Sequence, residues 1–132
     1  MLRFRSLASG SSGNATLVEA FDGLHRTRVL IDCGLGLRQL NERLARAGVA
    51  APELDAIFIT HEHGDHVGCA PALSARLGIP LWMSAGTHAA LPRPDPKLNV
   101  HFASDGQSVE LGGLRIQPFA VPHDTREPLQ LS

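Results

Sequence analysis

The continuous apolar run Ala56-Ile57-Phe58-Ile59 is followed at once by Thr60-His61-Glu62-His63-Gly64-Asp65-His66. A short run with no polar interruption reads as a strand buried on both faces of a sheet. The fold must therefore cover that sheet twice and still leave a polar loop open at the strand's C-terminal end, where a loop can hold ligands rigidly. Three His and one Asp fall at i, i+2, i+4 and i+5 of the segment. Imidazole nitrogens and carboxylate oxygens are the donors borderline divalent ions prefer, Zn²⁺ above all. Alternation along an extended chain points His61 and His63 the same way. The turn at Gly64 redirects Asp65 and His66 to an adjacent position. One short segment can thus serve two ions about 3.5–4 Å apart, the spacing used for in-line displacement at phosphorus.

The rest of the composition is ordinary. The chain has 132 residues, 43% hydrophobic and 19% charged, with 12 Lys+Arg against 13 Asp+Glu and a net charge of −1. This describes one globular domain over 1–132 and excludes a disordered tail. It also excludes a scaffold that binds nucleic acid through bulk positive charge, while leaving room for a local basic patch. No apolar run approaches the roughly 20 residues of a membrane span. The first residues lack the apolar core of a secretory signal. Cys33 and Cys69 are too few for a disulfide framework and read as small buried hydrophobes. A cytoplasmic, reduced protein is expected.

Along the chain, Leu2 to Leu7, Ala15 to Ala20 and Arg28 to Ile31 read as an antiparallel meander, with Asp22-Gly23 as a hairpin turn. The period then changes. Leu37, Leu40, Leu44 and Ala47 line one helix face, Arg38, Glu42 and Arg46 form a ladder on the other, and Gly48 stops the helix. A second helix is expected within Asp65 to Leu77, with Pro71 in its first turn. Leu81 to Met83 is a strand, Thr87 to Leu91 a short helix, and Pro92, Pro94 and Pro96 mark a surface connection. Val100 to Phe102, Ser108 to Leu111 and Leu114 to Ala120 are later strands, the last two joined by Gly112-Gly113.

Other residues earn attention by position. Asp32 follows the third strand, where its carboxylate either accepts the second N–H of a ligand imidazole or simply occupies a strand-to-helix turn. The turn Ser11-Ser12-Gly13-Asn14 offers hydroxyls, an amide and backbone N–H groups. It suits an anionic substrate or the ordering of the metal loop. His123 sits at the end of the apolar run Phe119-Ala120-Val121. Thr60 is placed to cap the loop and Glu62 to face solvent, while His25, His88 and His101 read as structural or exposed.

His61-x-His63-x-Asp65-His66 matches the signature of the metallo-β-lactamase superfamily. Leu7-Ala8-Ser9-Gly10-Ser11-Ser12-Gly13-Asn14-Ala15-Thr16, Leu30-Ile31-Asp32-Cys33-Gly34 and Val121-Pro122-His123-Asp124 with Glu127-Pro128 resemble its exonuclease-like bacterial branch, associated with cell-wall regulation and DNA metabolism. The resemblance runs through the whole chain in order. It implies an α+β fold, the αββα sandwich, of which this chain supplies the N-terminal half: a mixed, mostly antiparallel sheet with outer helices. It implies Zn²⁺, two ions per site, with Mn²⁺ as the substitute. His61, His63 and His123 would bind the first ion, and Asp65 and His66 the second. Asp65 and Asp32 are the candidate catalytic carboxylates. Ser11, Ser12 and Asn14 are the candidate substrate contacts. The implied reaction is hydrolysis of a phosphodiester, with nucleic acid as substrate, by metal-activated hydroxide.

The superfamily's second half normally supplies a bridging Asp and a last His, and the chain stops nine residues after His123. It therefore reads as truncated on its C-terminal side, one sheet face open to a second copy or to the missing half. Two alternatives stay open. One is a fragment that binds a single metal without efficient catalysis. The other is a hydrolase of a thioester or lactone.

Overall fold

The computed structural model describes residues 2–10, 13–61, 63–91, 97–120 and 129–131. Strands β1 (Leu2–Ala8), β2 (Ala15–Asp22) and β3 (His25–Ile31) form the meander. Asp22 pairs with His25, so the connection is a two-residue turn at Gly23-Leu24 with Gly23 at φ +58°. The turn needs nothing outside that pair, so the ladder runs further than the apolar residues alone suggest.

Helix α1 (Leu37–Arg46) buries Leu40 and Leu44 and ends at Ala47, with Gly48 at φ +75° beyond it. After a 3₁₀ turn (Ala51–Glu53) the chain enters β4 (Ala56–Phe58), which pairs parallel to β3. Next come α2 (Gly64–Val67), α3 (Ala70–Leu77), β5 (Leu81–Met83), α4 (Ala85–Ala90) and β6 (Val100–Phe102). The main sheet has the order β1-β2-β3-β4-β5-β6, and its last three pairings are parallel. Together with two small antiparallel pairs, four of the seven pairings among the described residues are antiparallel.

Every residue of β4 is buried. Ile57 faces the layer of helices with Leu17, Leu30, Leu40 and Leu44. Phe58 faces the opposite layer with Val18, Val29 and Ile116. That opposite layer is built by the hairpin β7 (Val109–Leu111) and β8 (Leu114–Ile116). Leu2 and Phe4 stay exposed beside it and, with Val18, Ile31 and Ile116, line an open apolar groove of about 250 Å³.

One expectation is met with an addition and one is corrected. The helix expected within Asp65 to Leu77 is α3, with Pro71 in its first turn; the short α2 before it ends at Gly68, at φ +44°, where the chain presses on the Cys33 carbonyl. The single strand Leu114 to Ala120 is divided at Gln117, before Pro118. Proline cannot donate to a ladder, so pairing restarts in β9 (Pro118–Ala120) with a new partner, β10 (Leu129–Leu131), which the sequence did not suggest.

Glu19 is 2% exposed and central to a chain of ion pairs. It accepts from Arg28 at 2.9 Å and from Arg3 at 2.9 Å, and Arg28 also reaches Glu53 at 3.0 Å. Burial pushes the Glu19 carboxyl up, but the hydrogen bonds of Arg28 and Arg3 and their charges outweigh it and hold the group below its ordinary value.

Candidate metal centre

The parallel pairing of β3 and β4 sets the two loops of interest side by side. Asp32, one residue beyond β3, donates its backbone N–H to Phe58 O at 2.7 Å. It is buried and has φ +61°, a left-handed conformation unusual for a residue with a side chain. Asp tolerates it better than most, and the carboxylate contacts show what holds it there. Thr60 donates to Asp32 through its backbone N–H at 2.8 Å and its hydroxyl at 2.8 Å. His66 Nδ1 lies 2.8 Å from Asp32 Oδ2.

Two tautomers follow from this geometry. A carboxylate only accepts, so the Nδ1 of His66 carries a proton, and in the neutral ring the lone pair sits on Nε2. Thr60 has one hydroxyl proton. Once that is given to Asp32, its Oγ1 can only accept from His61 Nδ1, 2.9 Å away, which puts the lone pair of His61 on Nε2 as well. Asp32 thus orients two imidazoles, one directly and one through Thr60. Burial lowers the pKa of His66, yet the Asp32 hydrogen bond and the charges of Asp32 and Asp65 raise it above the ordinary imidazole value.

The rings converge. His61 and His66 have centroids 3.5 Å apart, His61 and His63 5.6 Å. Asp65 Oδ2 is 3.4 Å from His66 Nε2. Asn14 Nδ2 donates to Gly10 O at 2.9 Å, and to Asp65 O and Asp65 Oδ2 at 3.2 Å each. Its amide nitrogen thus ties the Gly10 turn to the Asp65 loop. The backbone adds more ties. Asn14 N donates to Asp65 O at 2.7 Å, Cys33 N to His66 O at 2.6 Å and Cys69 N to Leu35 O at 3.1 Å. The fit is so close that a Cβ on Gly34 would overlap the Asp65 carbonyl.

The sequence reading missed Gly34 and the approach of the two cysteines. Cys33 and Cys69 place their sulfurs 3.5 Å apart directly behind the loop, both unoxidised. The hydrogen bond shared with Cys69, in which Cys33 keeps the proton, and then burial push the Cys33 thiol up; the same hydrogen bond pulls Cys69 down. The Asp-Cys-Gly that follows β3 was the available signal for Gly34. His101 stacks on Trp82 and His88 meets Phe102 edge-on, both outside the donor cluster. His25 opens β3, paired with Asp22 beside the turn. Ser11, Ser12, Glu62 and His123 lie outside the described residues.

The donor set and its support suit a divalent ion: imidazoles with Nε2 lone pairs, a neighbouring carboxylate and a second carboxylate behind them. Among the described residues no group of three or more His, Cys, Asp or Glu side chains forms a ready-made cage. The third donor expected for the first ion, His123, is not among them.

Comparison with known proteins gives consistent results. The family model described as "Beta-lactamase superfamily domain" matches residues 27–131. Exodeoxyribonuclease WalJ of Streptococcus pneumoniae (strain D39) is 31% identical over 131 residues, 96% of this chain and 47% of the relative. Ribonuclease Z of Bradyrhizobium diazoefficiens is 36% identical over 129 residues, 83% of this chain and 40% of the relative. The chain therefore spans about half the length of the curated relatives it matches. MEM-A1, a subclass B3 metallo-beta-lactamase from a soil metagenome library, shares the fold with TM-score 0.73 at 21% identity, over 97% of this chain and 53% of that one.

Proposed function

Because the chain belongs to the beta-lactamase superfamily domain family, we propose that it carries the metal-binding half of a zinc-dependent phosphodiesterase that cleaves nucleic acid. The observation that carries this reading is the Asp32–His66 contact, 2.8 Å, behind a run of three histidines and an aspartate. A buried carboxylate on the far nitrogen of an imidazole is how metal-ligating histidines are held. The names of the exodeoxyribonuclease and ribonuclease relatives support the substrate class.

His61 and His63, with His123, would hold one ion, and Asp65 with His66 a second. The chemistry that Zn²⁺ or Mn²⁺ supplies when bound there is a lowered pKa of water and a polarised phosphoryl oxygen. The chain's own residues do the rest. Asp32 keeps the Nδ1 proton of His66 in place and, through Thr60, that of His61. Asn14 fixes the Asp65 carboxylate from one side, leaving Asp65 to orient the attacking water and accept its proton. Ser11 and Ser12, in the turn next to Asn14, are placed in sequence to meet the phosphate.

The test is metal content by mass spectrometry, with hydrolysis of DNA, RNA and bis-p-nitrophenyl phosphate in Zn²⁺ or Mn²⁺. Two ions per chain and phosphodiester cleavage support the reading. One ion per chain without turnover assigns it to a single-metal fragment, and cleavage of thioesters or lactones alone moves it to another substrate class.

A further inference from the structure

A second surface bears on what this site acts upon. Along β1, Arg3, Arg5 and Leu7 point toward the helix layer, as alternate residues of a strand do. Leu7 is buried there with the core under α1. Arg5 emerges beside Arg43 and Arg46 of α1, and these three with Ser6 and Leu7 line an open groove of about 310 Å³.

Among the described residues, three arginines are paired with carboxylates. Arg3 and Arg28 are neutralised by Glu19 and Glu53, and Arg38 by Glu42. In the groove the arrangement differs. Arg43 donates to a neutral acceptor, Leu7 O, at 2.6 Å, and keeps its full charge. Arg5 and Arg46 are exposed, and no carboxylate pairs with them among the described residues. Three uncompensated guanidinium groups therefore share one groove on a molecule whose net charge is −1. Cations in the last turn of α1 also offset the helix dipole. That accounts for Arg43 and Arg46, but not for Arg5, which reaches the same groove from a strand.

The groove also leads somewhere. β1 runs from Arg5 through Ala8 to Gly10, whose carbonyl accepts from Asn14, and Asn14 holds Asp65. At about 3.3 Å per residue the path from Arg5 to Gly10 is at most about 17 Å, the length of a few nucleotides. Guanidinium groups match phosphate oxygens in planar, two-point geometry, which makes arginine the preferred partner of a phosphate chain.

We infer that Arg5, Arg43 and Arg46 form a track for the phosphate backbone of a single nucleic-acid strand whose reacting end lies at the His61–His66 cluster. The inference takes its direction from the nuclease reading above. It explains how a chain with no bulk positive charge can attract a polyanion: the charge is concentrated on the approach to the site.

The test is binding of a fluorescein-labelled single-stranded DNA of mixed sequence, by anisotropy in EDTA across a salt series. Arg5→Gln with Arg46→Gln is compared with the charge-matched Arg38→Gln with Arg76→Gln; Arg43 is left intact because it braces Leu7. The groove variant should bind about tenfold more weakly near 0.1 M salt, and its salt slope should fall by about 1.4, two phosphate contacts at about 0.7 each. The control should match the native chain. An unchanged slope in the groove variant, an equal loss in the control, or no binding by the native chain overturns the inference. Hydrolysis of bis-p-nitrophenyl phosphate by the native chain reports on the nuclease reading separately. Arginine-dependent binding without any phosphodiester cleavage would overturn that reading and leave the track standing.

Discussion

At Asp32 a single side chain takes on three tasks: it satisfies Thr60, orients His66 and, through the Thr60 hydroxyl, orients His61. The left-handed backbone at φ +61° is the strain accepted for that position. Asp32→Asn keeps the size but cannot accept every one of these hydrogen bonds. Zinc affinity is expected to fall roughly 10- to 100-fold, as for other residues that orient a metal ligand. Competition with a chromophoric chelator measures it, and unfolding of the metal-free chain separates weakened binding from misfolding. Unchanged affinity would remove Asp32 from the positioning role. The sequence marked Asp32 and the donor run because each directly follows an apolar strand, a relation legible over a few residues. The Cys33–Cys69 approach was not legible, since it depends on two connections 36 residues apart meeting behind the loop.

Between elements, the site depends on close approach of the β3–α1 connection to α2. Gly34 faces the Asp65 carbonyl with no room for a Cβ, and Gly68 stands equally close to Cys33. Gly34→Ala should cost about 3 kcal/mol in urea unfolding, because the overlap is with rigid backbone. Gly36→Ala, two residues away with open space around it, should change stability by less than about 0.5 kcal/mol. Equal effects would show that Gly34 is not a packing requirement. Periodicity located α1, β5 and β6 well, since their apolar residues alternate or recur within one element. It was incomplete where tertiary contact decides: at Gly68, which ends a short helix ahead of the expected one, and at Pro118, which ends one pairing and begins another.

For the molecule as a whole, the sheet joins the candidate site to the Arg3–Glu19–Arg28–Glu53 chain of ion pairs at the meander. Glu19 is held below its ordinary pKa in the folded state, so its stabilisation is fully present above the unfolded value and is lost as pH falls through the folded one. Urea midpoints measured from about pH 7 down to about pH 3 should therefore decline on the acid side. Glu19→Gln should lower stability by about 3 kcal/mol near neutrality and flatten that decline. A variant with the native slope would place the acid sensitivity elsewhere. The ties around the donor loop have a further consequence, in time instead of energy. Asn14 N, Cys33 N and Cys69 N each donate across a different junction of the chain, to Asp65, His66 and Leu35. No one of these bonds can form until segments far apart in sequence have docked. Their amides should then exchange with deuterium together and slowly, at the rate of global opening, while those of the Gly23-Leu24 turn exchange early. The loop that must present ligands would be among the last parts of the chain to assemble and among the last to let go.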